Sequence, residues 1–148
     1  MTVVLVKREG PAASRGFHRN LNSLEKIFAF AAAEVDEALR PAVELALEEL
    51  FTNIVRHGRP SATPVRIDIS PIAGGVEVSL IESEAEPFDP TRAPEVDVSL
   101  PLERRRPGGL GIHLVRKVVD SLEYRYAPES RTGRTTFRKT RGKADVQD

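Results

Sequence analysis

The stretch "TPVRIDISPIAGGVEVSLI", Thr63 to Ile81, decides the fold. Its first half alternates Val65, Ile67 and Ile69 with Arg66, Asp68 and Ser70. Its second half alternates Val76, Val78 and Leu80 with Glu77 and Ser79. A period of two puts every apolar side chain on one face of a strand. Gly74 and Gly75 lie in the connection. The two runs therefore form a β-hairpin with one wet face and one buried face.

The flanking sequence supplies the cover for that buried face. Asn20 or Asn22 stands where it can cap a helix running to about Leu39. Leu24, Ile27, Phe28, Ala31 and Val35 follow helical spacing within it. Pro41 suits the first turn of a second helix, which continues to about His57 and stops at Gly58. Farther upstream, "TVVLVK", Thr2 to Lys7, is a β-branched run stopped by Gly10-Pro11 and reads as a first or edge strand.

Downstream, Pro87, Pro90, Pro94, Pro101 and Pro107 interrupt every regular pattern between Glu84 and Gly109. A loop of that length inside a compact domain is typically a lid, a binding loop or a disordered segment. "GLGIHLVRKVVDSL" resumes a helix with Ile112, Val115, Val118 and Val119 on its inner side. "LEYRYA" and "RTTFRKT" close the chain as two strands around the turn "PESRTG". The order is strand–helix–helix–strand–strand–loop–helix–strand–strand. That is an α+β, two-layer α/β sandwich, with helices on one face of a mostly antiparallel sheet.

The totals narrow the function classes. A chain of 148 residues suits one domain, here 1–140, followed by a polar tail at 141–148 that is expected to fray. Lys plus Arg and Asp plus Glu are both 22, so no excess charge points to nucleic acid or an anionic membrane. Cysteine is absent, which removes disulfides, thiolate metal sites and cysteine nucleophiles together. No window approaches the ~18 apolar residues of a membrane span, and the N-terminal apolar run is too short for a signal peptide. A cytoplasmic protein with no direct nucleic-acid or membrane partner is expected.

Two motifs carry chemistry. On the second helix, Val43, Leu47, Leu50, Phe51 and Ile54 form the core side, and Glu49 and Asn53 fall about 40° apart on the other. Arg56 joins them one turn on. A lone pair of this kind reads as a solvated face worth a few tenths of a kcal/mol. In "PGGLGIHLV", Pro107 to Val115, three glycines at a helix start let the backbone approach a ligand and offer it free N–H groups, a setting that favours phosphate. No Lys-Ser/Thr pair follows them, so this is not a P-loop. A loop precedes them where a dinucleotide fold needs a strand. Taken together the motifs suit a magnesium-bound triphosphate. Asn53 offers a hard oxygen ligand, and Glu49, one turn back, could deprotonate an attacking hydroxyl.

In this order, from about Leu21 to Lys139, the motifs resemble those of the anti-sigma-factor serine/threonine kinases of the Bergerat ATPase fold. This is the GHKL superfamily, which also includes histidine kinase catalytic domains and gyrase. "ALEELFTNIVRHG" resembles the N-box, which implies Glu49 as general base and Asn53 as Mg²⁺ ligand. "EAEPFDP", Glu84 to Pro90, resembles the segment after the G1 box, and "GGLGIHLV" resembles the G2 box. The residues between them would form the ATP lid, carrying Arg105 and Arg106. The resemblance implies ATP contacts from Asn53, Arg56, His57, Ser83, Ala85, Pro87, Phe88, Arg105, Arg106, Gly108, Gly109, Leu110, Gly111 and Ile112. It also implies a STAS-domain anti-sigma-factor antagonist as substrate, a sigma factor or other regulator as alternate partner, and a homodimer.

One departure stands out. Alignment on Pro87-Phe88 puts Ser83 where the family's G1 box has the aspartate that accepts the adenine amino group, and Ala85 where it has glycine. Strand alternation sends Glu82 and Glu84 to the face opposite Ser83. A serine hydroxyl in place of a carboxylate would weaken nucleotide binding by roughly five- to tenfold. The altered box leaves a second reading open, a binding module of the same fold that has lost or weakened nucleotide use. A plain structural domain would leave the paired boxes unexplained.

Overall fold

A computed structural model describes residues 11–92 and 109–142. Strand β1 (Ala13–Phe17) leads through a 3₁₀ turn (Leu21–Ser23) into helix α1 (Leu24–Glu34). A second 3₁₀ turn (Glu37–Leu39) opens helix α2 (Arg40–His57). Strands β2 (Val65–Ile72) and β3 (Gly75–Glu82) follow, then a short turn at Pro90–Arg92, helix α3 (Gly109–Val118), and strands β4 (Ser121–Ala127) and β5 (Thr132–Thr140). The sheet runs β1-β2-β3-β5-β4, and each of these neighbours pairs antiparallel. The α+β two-layer expectation holds.

The hairpin forms as its alternation requires. Ile72 pairs with Gly75, and Gly74 turns the chain at φ +73°, a conformation that only glycine adopts freely. Val65, Ile67, Ile69, Val76, Val78 and Leu80 meet α1, α2 and α3 in one core, where Phe51 and Phe137 are fully buried. Burying each such side chain contributes about 1.5–3 kcal/mol. The opposite face is polar and charged, with Asp68, Ser79 and Thr136 buried in it. There Ser14 Oγ donates to Asp68 Oδ1 at 2.6 Å, and Arg138 spans Glu77 at 2.7 Å and Glu123 at 3.4 Å.

Three expectations change. The strand expected at Thr2–Lys7 lies outside the described residues. The first described strand is instead Ala13–Phe17, which has one strong β former, Phe17, and no apolar alternation, and whose pairing with Val65–Ile69 is set by β2. Helix α1 stops at Glu34, because Val35 turns extended (φ −123°, ψ 135°) to bury its side chain. Arg40 Nε then donates to the Val35 carbonyl at 2.8 Å, satisfying an acceptor freed by the break. Asn20 stands before the first 3₁₀ turn without a side-chain cap, while Ser23 Oγ donates to the His18 carbonyl at 2.8 Å. Helix α2 runs as expected, with a proline in its first turn and Gly58 after His57.

The long connection from β3 to β4 carries α3 onto the face that already holds α2. The end of β3, the second half of α2 and the start of α3 are thereby gathered at one edge of the helical layer.

Candidate functional site

The inward face of β3 continues one residue beyond its apolar run. Val76, Val78 and Leu80 point to the helices, and so does Glu82. With Leu50, Asn53, Ile54, Phe88 and Tyr124 it lines a cleft between α2 and the sheet. Ser83, the expected adenine contact, is not among the residues that line it. Glu84 adopts φ +55° and bends the chain after β3. Glu84 itself faces away from the cleft, its carboxylate taking hydrogen bonds from Ser61 at 2.6 Å and Thr63 at 3.4 Å.

Asn53 is buried and lines the same cleft. It is not on a solvated face opposite the core. The sector of α2 that carries Ala46, Glu49 and Asn53 is covered by α3, and Ala46 is fully buried in it. Glu49 meets the first turn of α3 at close range: a methyl group added to Gly111 would fall on the Glu49 carboxylate. Gly111 is thus the residue whose missing side chain gives Glu49 its position. Burial pushes the Glu49 carboxyl above the ordinary glutamate range; Arg56 pulls it back and Glu48 pushes it further.

That direction has a stability consequence. A carboxyl whose folded pKa is raised favours the native state when protonated, and the contribution is lost as pH rises through the folded pKa. At about pH 7, ionised Glu49 is then a cost to the native state. Glu49→Gln is expected to melt at or above the wild-type temperature there, with the gap closing as pH falls below the Glu49 pKa. Melting curves across pH check this; a wild type that gains on the variant as pH rises would contradict it.

The rim of the cleft is fastened from several sides. The Phe88 ring stacks on His57 at 5.2 Å and 26°, which joins two expected nucleotide contacts. Phe88 N donates to the Tyr124 hydroxyl at 3.1 Å, and Tyr126 donates to the Ala85 carbonyl at 2.7 Å. Ala85 N donates to the Arg131 carbonyl at 2.8 Å, so this buried alanine acts through its backbone, without the positive φ that a glycine would have supplied. Pro87 is exposed beside it. Ile112 packs into the core. Gly109 and Leu110 open α3. Gly108, Arg105 and Arg106 lie outside the described residues.

Arg19, which the sequence reading passed over, braces the cleft from behind. Its side chain is 5 % exposed, and it donates to Glu82 Oε2 at 3.1 Å, the Ser83 carbonyl at 2.5 Å and the Thr63 carbonyl at 2.9 Å. Burial raises the Glu82 carboxyl, and Arg19 opposes the rise. Tyr124 was missed as well. For Glu82 the signal was present in the sequence, because the alternation from Val76 through Leu80 reaches it without a break.

This arrangement, an acid against a glycine-rich helix start and a second acid at the end of a central strand, can be compared with known proteins. The family described as the histidine kinase-like ATPase domain matches residues 18–138. The chain belongs to this family. A histidine kinase-like ATPase domain is a nucleotide-binding domain, which agrees with a cleft between α2 and the sheet. Serine/threonine-protein kinase BtrW of Bordetella bronchiseptica is 32% identical over 87 residues, covering 58% of this chain and 61% of that protein. The chain thus spans less than two thirds of that relative. The solved structure of Acinetobacter baumannii histidine kinase AdeS aligns over 88% of this chain and 68% of its own, with a TM-score of 0.46 at 14% identity.

The donor set bears on a metal. Among the described residues no three His, Asp or Glu side chains cluster as an all-protein cage. Mg²⁺ does not need one, since it is commonly held by one or two side-chain oxygens together with substrate phosphates and waters. The Asn53 amide oxygen, in the cleft and one turn from Glu49, suits that mode. Among the described residues, no helix is long and apolar enough to cross a membrane.

Proposed function

We propose that this domain is an ATP-dependent protein serine/threonine kinase that acts as an anti-sigma, partner-switching factor. Its protein substrate would be a STAS-domain antagonist, and its alternate partner a sigma factor or another regulator. The observation that carries the reading is the contact of Glu49 with Gly111. It brings a carboxylate of raised pKa to the helix start where a terminal phosphate would sit, with Asn53, which lines the cleft, one turn away. The name of the Bordetella relative points the same way.

In this reading the base of the nucleotide enters between Leu50, Ile54 and Leu80, and the Glu82 carboxylate accepts a hydrogen bond from its amino group. The free N–H groups at the start of α3 receive the phosphates. Glu49 takes the proton of the incoming serine or threonine hydroxyl. As that oxygen bonds to the γ-phosphorus, the bond to the β–γ bridging oxygen breaks and ADP leaves. A bound Mg²⁺, held by Asn53, would neutralise charge on the phosphates. The rate would come from positioning and from charge complementarity. We favour this reading over a binding module without nucleotide use because an acid, Glu82, lines the cleft that Ser83 does not.

Melting with and without nucleotide tests the reading. At a ligand concentration about a hundred times Kd, binding adds about 2.7 kcal/mol. The expected result is a rise in Tm with ATP and Mg²⁺ that chelator reduces, and that Asn53→Ala makes insensitive to chelator. Glu49→Ala should still bind and should not transfer phosphate to a partner recovered from the native host. No shift at millimolar ATP would sink the proposal.

A further inference from the structure

The guanidinium behind Glu82 is held more firmly than an ion pair requires. Besides Glu82, it donates to three carbonyls: Thr63 at 2.9 Å, Arg59 at 3.3 Å and Ser83 at 2.5 Å. These belong to the loop after α2 and to the end of β3, so the group is fixed from two directions and cannot follow Glu82 if that side chain swings. Its bond to Glu82 falls on Oε2. The same oxygen faces Gly58, where an added Cβ would come within 2.7 Å of it. Among the described residues, Oε1 takes no hydrogen bond. One oxygen of the carboxylate is thus committed to the back wall, and the other remains for the cleft that Glu82 lines.

We propose that Arg19 determines base specificity in this cleft by occupying one oxygen of Glu82, so that a bound base meets a single hydrogen-bond acceptor. The inference rests on the nucleotide reading above. A guanidinium can only donate, so whatever atom of residue 82 faces it must accept. A 6-amino purine offers one exocyclic amino donor where the free oxygen stands, and the match is one to one. A 6-oxo purine presents a carbonyl oxygen there, acceptor against acceptor. Guanine could recover through its paired N1–H and N2 amino donors, but that pair needs both carboxylate oxygens and one is in use. An unbraced carboxylate could turn both oxygens toward that pair.

Because Arg19 only donates, it also dictates how an amide would sit. In Glu82→Gln, a substitution of the same shape, the amide oxygen must turn to Arg19 and the NH₂ must face the cleft. The acceptor presented to the base becomes a donor, which suits the O6 of hypoxanthine. Titrating wild type and Glu82→Gln with ATP and with ITP, each with Mg²⁺, reads this directly. Wild type is expected to favour ATP, and the ATP-to-ITP affinity ratio is expected to fall by at least about tenfold in Glu82→Gln, the size of one hydrogen bond turned into a mismatch. Adding Arg19→Met frees the amide to present either end, and the ratio should return at least about threefold toward wild type.

The outcomes separate cleanly. Wild type binding neither nucleotide overturns the nucleotide reading and this inference with it. Wild type favouring ATP while Glu82→Gln weakens both nucleotides equally overturns this inference alone. A ratio unmoved by adding Arg19→Met also overturns it; if that double variant does not fold, the Glu82→Gln ratio decides.

Discussion

Gly111→Ala is expected to lower phosphate transfer by at least a hundredfold, the scale at which a displaced general base is felt. Fold and nucleotide binding should be left nearly intact. The new methyl group would occupy the place of the Glu49 carboxylate, which sits at the end of a flexible side chain and can rotate away. Little stability should be lost by that rotation, and alanine is a better helix former than glycine by up to about 1 kcal/mol. The chemistry has no such freedom, because a base moved by an ångström no longer meets the hydroxyl it serves. Transfer assays beside melting curves read the two effects separately. Combining Gly111→Ala with Glu49→Gln should give no further loss, since both remove the same positioned base. An alanine variant as active as wild type would show that the contact is only packing.

Replacing Arg19 with methionine is expected to have the largest effect on stability, about 3–5 kcal/mol, the cost of breaking a buried ion pair by removing one partner. The side chains of Arg19 and Glu82 are 5 % and 14 % exposed, so solvent cannot take over the lost interaction. For a chain of this size the loss corresponds to roughly 10 °C in Tm. Adding Glu82→Met should restore about half of it, because an apolar pair of similar volume often replaces a buried ion pair without penalty. Recovery would stay incomplete, since the carbonyls of Thr63 and Ser83 still lack their donor. Urea or thermal unfolding of the single and double variants measures both steps. A loss below about 1 kcal/mol for Arg19→Met would place the pair in the class of weak surface bridges.

Much of this domain is legible before any coordinates. Alternation along Thr63–Ile81 dictates a hairpin with one buried face, and the spacing of apolar residues on α2 dictates a helix to cover it. Those patterns are local, and burial enforces them wherever the segments dock. The spacing of Glu49 and Asn53, followed by glycines at a helix start, likewise points to the cleft. Strand β1 escapes notice because its five residues pair with β2 without apolar alternation of their own.

What the sequence by itself determined is the set of elements, their apolar faces and the polar pair on α2. Tertiary structure alone decided what holds Glu82 and Glu49 in place. Ser83 falls outside the cleft lining, and Glu84 turns left-handed beside it. Arg19 reaches Glu82 across 63 residues, Thr63 across 44 and Ser83 across 64. Gly111 proves to be a seat for the Glu49 carboxylate only when α2 and α3 are packed together. Periodicity reports which face of an element is buried. Contacts between distant segments decide which side chains share a site, and they exist only once the core has brought those segments together.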